Sequence, residues 1–214
     1  MIIIFNGPPR TGKDESCLYL KDNKNFKHIE FKDALFEETY SYFNVTKEWF
    51  MDGYSDRSVK ERKETILGDR SRRDALIHVS EDVIKPKYGK DYFGVKVSEK
   101  LETSVDYCFS DGGFREEIFP IINKVGANNI CLVQLTREGC DFSNDSRRYL
   151  DGNLVEEFVI NKKTNIIKSH ILPEKFSIRT YRIHNNGSVK ELHETIKTIY
   201  EKERNAQEGK KNLS

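Results

Sequence analysis

An excess of charge of either sign is lacking in this sequence: 36 Lys and Arg stand against 35 Asp and Glu, a net charge of +1. No general basic field exists to hold a nucleic-acid polymer, so any affinity for anions must come from local clusters. Long apolar runs are absent as well. No stretch is long enough to span a bilayer, and no signal-peptide pattern is present, so no membrane partner is expected and a cytoplasmic protein is. Cysteine is scarce. Cys17, Cys108, Cys131 and Cys140 form neither a C-x-x-C pair nor a metal-ligand spacing. The first three lie in apolar stretches and read as small buried hydrophobes, whereas Cys140 lies in a polar loop and is the thiol expected to react. Internal repeats and low-complexity linkers are also missing. A chain of 214 residues, 36% of them hydrophobic, is expected to form one domain with a core and an appended lid.

What is present is organised around Gly7-Pro8-Pro9-Arg10-Thr11-Gly12-Lys13-Asp14. The apolar run Met1–Phe5 precedes it and the helix-compatible stretch Glu15–Leu20 follows. In that setting G-x-x-x-x-G-K-[ST] is a phosphate cradle. Glycines let the backbone curl so that successive N–H groups face an anion, and the following helix adds its positive end. Lys13 is placed to reach the outer phosphates as a point charge. Asp14 stands where a Ser or Thr is usual. A carboxylate beside phosphates repels them unless a cation lies between, so Asp14 implies a metal, bound directly or through its water.

Further along, Lys27–Phe31 alternates as a second strand, and Asp33 opens a helix carrying Leu35, Phe36, Tyr40 and Phe43. Lys32-Asp33 has two readings: a ligand position at the carboxyl edge of the sheet, or an ordinary helix cap. Trp49, Phe50 and Met51 form an aromatic cluster read as core. The segment from Asp56 to Arg73 is crowded with charge, most of it a solvated helix face. Arg72-Arg73 stand apart. They open the helical pattern of Ala75, Leu76, Val79 and Val83, where cations cost roughly 0.3–1 kcal/mol that a bound anion would reverse. Pro86 is expected to end that helix.

Tyr92–Leu101 reads as a helix and Val105–Ser110 as a strand ending in Asp111-Gly112-Gly113. An acidic residue at such a strand end either holds the metal shell or substrate, or caps a turn. Phe114–Val125 is a helix closed by Gly126, and Asn129–Leu135 is the next buried strand. Glu138–Asn153 is a polar loop whose length suggests a lid. Its Arg147 and Arg148 either enter a closed site or face solvent. Leu154–Ile160 and Ile166–Leu172 read as a hairpin, and Phe176–His184 as the last sheet strand. Ser188 caps a terminal helix running through about Glu203, with Val189, Leu192, Ile196 and Ile199 on one face.

These motifs, in this order, resemble the deoxynucleoside monophosphate kinases of tailed bacteriophages of the T4-like type. The glycine loop of that family also ends in Gly-Lys-Asp. Lys32-Asp33-Ala34-Leu35 is similar to its Lys-Asp-Ala-Leu stretch, and Tyr54–Arg57 to its Tyr-Asp-Arg segment. Arg72-Arg73, followed by Asp91–Lys96, resembles its Arg-Arg helix and later aromatic-Val-Lys helix. Ser143–Ser146 is similar to the lid's Ser-Asn-Asp-Thr, and Asn186–Leu192 to the closing turn and helix. Two features depart. The family's arginine two positions beyond the strand-end aspartate is Gly113 here, with Arg115 the nearest, and 154–172 is longer than in those relatives.

The resemblance implies an α/β fold of the P-loop NTPase type in three layers. It comprises a mostly parallel central sheet, helices on both faces and a lid insertion. One kinase domain is expected over 1–205, with an acceptor-binding helical region at about 30–104, a lid at about 137–153, a hairpin at about 154–172 and a flexible tail at 206–214. The implied activity is transfer of the γ-phosphoryl of ATP to a deoxynucleoside 5′-monophosphate, with magnesium, in the host cytoplasm if the chain is phage-encoded. Gly7, Arg10, Thr11, Gly12, Lys13 and Asp14 are expected to hold ATP, and Asp14 and Asp111 the metal. Lys32, Asp33, Arg57, Arg72, Arg73, Asp111 and Arg115 are expected to meet the acceptor, while Lys13, Arg137, Arg147 and Arg148 serve the transfer. The partners are small nucleotides, and a homodimer is compatible. The alternatives are a P-loop kinase for another small phosphorylated acceptor and a non-catalytic ATP-binding switch.

Overall fold

The computed structural model describes residues 1–143, 145, 147–150, 153–154 and 176–211. In chain order the elements are β1 (Ile2–Asn6), α1 (Lys13–Lys24), β2 (Lys27–His28), α2 (Lys32–Phe43), α3 (Lys47–Ser55), α4 (Arg57–Lys60), β3 (Lys63–Glu64) and β4 (Arg70–Ser71). There follow α5 (Arg72–Ile77), a π-helical stretch (His78–Ile84), α6 (Lys85–Tyr88), α7 (Tyr92–Lys100), β5 (Tyr107–Phe109), α8 (Arg115–Val125) and β6 (Ile130–Thr136). The chain closes with β7 (Asn153–Leu154), β8 (Phe176–Ser177), β9 (Arg179–His184) and α9 (Val189–Lys211). Contacts divide it into two compact units. One holds Met1–His28, Val105–Arg115 and the chain from Val125 onward; the other holds Ile29–Ser104 and Glu116–Lys124.

The first unit is an α/β assembly around a five-stranded sheet ordered β2-β5-β1-β6-β9, with every pairing parallel. The run Ile2–Phe5 is apolar at consecutive positions and all five residues of β1 are buried, as a central parallel strand covered on both faces requires. Its register sets Ile3 beside Cys108 on β5 and Cys131 on β6, and Asn6 beside Gln134. From α1, Cys17 and Leu20 pack into the same cluster as Ile3, Phe5 and Val133, together with Leu192, Ile196 and Ile199 of α9. Phe5 is fully buried there, and truncating it to Ala costs about 3–5 kcal/mol. Val189 is 55% exposed and lies outside that apolar stripe.

The second unit is helical. Phe36, Phe50, Leu67, Ala75 and Leu76 form one core cluster, and Ala34, Val79, Ile84 and Phe93 another. Of the aromatic cluster expected as core, Phe50 is fully buried on α3, while Trp49 and Met51 are partly buried and pack against the first cluster. Thr46 caps α3, its Oγ1 accepting from Trp49 N at 3.2 Å, and Ser71 caps α5, accepting from Asp74 N at 3.1 Å. Close packing of α7 against α8 depends on Gly94, where a Cβ would stand 2.2 Å from the Glu117 carbonyl oxygen.

Several boundaries differ from the sequence reading. The second strand ends at His28 and the helix begins at Lys32, because Phe31 is a buried pivot with helical backbone rather than a strand end. The helix opened by Arg72 does not stop at Pro86. The chain turns through the π stretch and continues as α6, with Pro86 in that helix's first turn, where a missing N–H is cheapest. Phe176-Ser177 pairs with Asn153-Leu154 rather than joining the main sheet, so the last sheet strand starts at Arg179. Helix α9 runs to Lys211, so the expected tail from Ala206 is helical to that point; its residues are mostly good helix formers with no proline. Apart from Leu154, the expected hairpin of 154–172 lies outside the described residues.

Candidate functional site

The site in the first unit is assembled where β1 gives way to α1. The loop curls back on the end of the sheet. At Gly7 a Cβ would stand 2.4 Å from the Leu135 carbonyl oxygen, so only glycine allows this approach. Gly12, the residue before α1, has φ 99°, and Arg10 has φ 68°, an unusual conformation for a residue with a side chain. Thr11 Oγ1 donates to Pro8 O at 2.9 Å, and Asn185 Nδ2 donates to Thr11 O at 2.9 Å, so the curl is braced from within and from the end of β9. Lys13 is buried, and its Nζ donates to Pro8 O at 2.7 Å.

Charge gathers around Lys13. Burial lowers its pKa from the ordinary 10.5 to about 8, and the Arg147 guanidinium adds to that lowering against the opposing pull of Asp14, Asp145 and Asp111. Asp14 lies exposed in the first turn of α1, where the helix dipole favours a carboxylate, and Asp111 is half-buried just past β5. Arg147 pairs with Asp145 through two contacts, Nε to Oδ1 at 2.9 Å and Nη2 to Oδ2 at 2.5 Å. This carboxylate holds the Arg147 guanidinium in its charged form against burial. Burial works against the Asp145 anion in turn, but Arg147 and Lys13 hold its carboxyl below the usual carboxylate range.

The expected residues divide accordingly. Gly7, Thr11, Gly12, Lys13, Asp14, Asp111 and Arg147 belong to this one cluster. Arg10, Arg137 and Arg148 are exposed in the same unit, and the charge of Arg10 acts on Asp141. Arg115 opens α8. In the helical unit, Lys32 pairs with Glu30 at 2.7 Å, and the Asp33 carboxylate accepts from Glu30 N at 3.1 Å at the start of α2. Arg57 begins α4.

Arg72 and Arg73 have separate fates. Arg72 is buried: Nε donates to Phe50 O at 3.1 Å, Nη1 to Glu64 at 3.2 Å and Nη2 to Trp49 O at 3.4 Å, with the guanidinium 4.3 Å from the Trp49 ring. Arg73 is about half exposed, with Glu61 at 3.7 Å.

Among the described residues, no group of three or more His, Cys, Asp or Glu side chains is arranged to hold a metal ion. The donors that surround Lys13 are carboxylates, which suit a hard dication that keeps waters and takes its remaining ligands from phosphate oxygens. Sequence reasoning missed Asn6, Gln134, Asp145 and Asn185. Asn6 and Gln134 carried a usable signal, since each is a polar residue inside an otherwise apolar strand, and a buried amide must find partners.

Compared with known proteins, the chain matches no family model and no curated sequence.

Proposed function

We propose that this protein transfers the γ-phosphoryl group of ATP to the phosphate of a deoxynucleoside 5′-monophosphate, on a P-loop kinase fold whose lid is the Arg137–Asn153 segment. The observation that carries the reading is Lys13. It is buried at a braced glycine curl between a central parallel strand and a helix N-terminus, with Asp14, Asp111, Asp145 and Arg147 acting on it. Phosphoryl transfer asks mainly for positioning and charge compensation, and this cluster is suited to both.

On this reading the loop amides and Lys13 take the donor phosphates, with Lys13 exchanging its bond to Pro8 O for a phosphate oxygen. Asp14 and Asp111 hold magnesium or its waters. The chemistry that the dication supplies when bound is neutralisation of charge on the phosphate oxygens. Arg147, rather than the exposed Arg148, adds positive charge beside Lys13 as charge develops on the transferring group. Within the helical unit, Lys32 and Arg73 are the cations that this reading gives to the acceptor phosphate. A nucleotide phosphate is already anionic at neutral pH, so no general base is needed.

The test is ADP formation with each of dGMP, dTMP, dCMP and dAMP in turn. Turnover that depends strictly on one of these acceptors supports the reading. ATP binding without turnover on any of them sinks it. One observation favours the second reading, a kinase for a different phosphorylated acceptor: the Arg72 guanidinium is already engaged by Glu64 and two carbonyls. A screen with other small phosphorylated acceptors separates the two.

A further inference from the structure

Neighbouring strands carry a row of polar side chains at the carboxyl end of the sheet. Asn6 on β1 stands in register with Gln134 on β6, which stands in register with Arg182 on β9. Asn6 is 0% and Gln134 5% exposed. Burying two amides is costly unless each finds partners, and both do. Asn6 Nδ2 donates to Gly112 O at 2.9 Å and to Arg148 O at 3.0 Å, while its Oδ1 accepts from Leu150 N at 2.8 Å. Gln134 Nε2 donates to Leu150 O at 2.5 Å, and its Oε1 accepts from Arg182 Nε at 2.9 Å. The N–H and C=O of Leu150 are thus both taken by amides from two adjacent strands. Side chains here do what a further strand would do with its backbone.

We propose that Asn6 and Gln134 are positioning residues, two buried amides that clamp the chain at Arg148 and Leu150 and so fix the Arg147 guanidinium beside the Lys13 loop. The same Asn6 amide holds the Gly112 carbonyl, next to the place where Arg147 lies. At Gly113 a Cβ would stand 2.4 Å from Arg147 Cδ and 2.5 Å from its Cγ, so the aliphatic stem rests in the space that glycine leaves. Seat and returning chain are tied to one side chain at the end of β1. The Asp145 carboxylate then sets the direction of the guanidinium. The inference rests on the phosphoryl-transfer reading for its kinetic consequence, although the clamp itself does not.

The test uses Gln134→Glu, which keeps an acceptor for Arg182, removes the donor to Leu150 and sets a carboxylate oxygen against the Leu150 carbonyl oxygen. Asn6→Asp is the companion variant, accepted only if it melts cooperatively. Gln134→Glu is expected to lower acceptor-dependent kcat about tenfold, a loss of one charge-positioning contact, with KM for ATP changed less than about twofold. Hydrogen exchange at the Leu150 amide is expected to speed up about tenfold or more. In an Arg147→Ala background the kcat effect of Gln134→Glu is expected to vanish, because it acts through Arg147. An equal kcat loss in that background overturns the inference, as do unchanged kcat and unchanged Leu150 exchange. If the wild-type protein phosphorylates none of the four deoxynucleotides, the transfer reading fails separately. Leu150 exchange and tryptic cleavage after Arg147 then decide: faster in Gln134→Glu supports the clamp, and unchanged overturns it.

Discussion

The guanidinium of Arg72 lies 4.3 Å from the ring of Trp49 and donates to Glu64 at 3.2 Å, so a cation at the start of α5 is built into the interior of the helical unit. Hydrogen bonds from a charged donor contribute about 1.5–3 kcal/mol, and only a planar fork can keep the stack and the carbonyl contacts together. Both Arg72→Ala and Arg72→Lys are therefore expected to lower Tm by about 4 °C or more. A calorimetric scan checks this, and a Tm within about a degree of wild type for both would show the pairing to be dispensable.

Arg73 is the exposed member of the pair, and its truncation tests a different property. Arg73→Ala is expected to raise the acceptor KM about tenfold while leaving ATP affinity within about twofold. Lys13→Ala is expected to do the opposite, weakening ATP. Steady-state kinetics with acceptor and donor varied separately give the comparison. If both variants move the same parameter, the assignment of two anion sites fails.

On the proposed reading, Lys13 makes ATP binding dependent on protons. Its folded-state pKa lies near 8, lowered by burial and by Arg147, so the ammonium is partly deprotonated in mildly alkaline solution. A polyphosphate arriving beside it favours the charged form and raises that pKa. Binding therefore takes up a proton in the window around and above about pH 8, and affinity falls as pH rises through it. Calorimetric titrations of ATP at pH 8 in buffers of different ionisation enthalpy are expected to reveal that uptake. Identical heats in all buffers would remove Lys13 from the binding step.

Thiol chemistry offers a check on the core. Cys17, Cys108 and Cys131 are buried in the first unit, whereas Cys140 is partly accessible. Burial also pushes the Cys17 and Cys131 thiols up, away from the reactive thiolate. A disulfide-exchange reagent is expected to titrate one thiol quickly in the native protein, at Cys140, and four after denaturation. Rapid loss of two or more native thiols would mean that the sheet core opens.

How legible all this was depends on the range over which each feature is decided. The apolar run before Gly7 and the loop's glycines carry their meaning in a dozen consecutive residues, and β1, the curl and α1 lie where the sequence sets them. Helix α9 was likewise readable from Leu192, Ile196 and Ile199, although its end was not, because no local stop signal stands at Glu203. Strand limits were harder to read. Two-residue β2 and β8 exist through their pairings rather than through any preference of their own.

The amino-acid order alone thus determined which residues form the glycine curl and which strand is buried at the centre. Tertiary structure alone decided how each cation is engaged. Arg72 and Arg73 are neighbours of the same residue type, yet one is buried and held by Trp49, Phe50 and Glu64 while the other is about half exposed beside Glu61. Asn6 meets Arg148 and Leu150, partners 142 and 144 residues away, and the donors and acceptors of a buried amide are fixed only once the chain has folded back on itself.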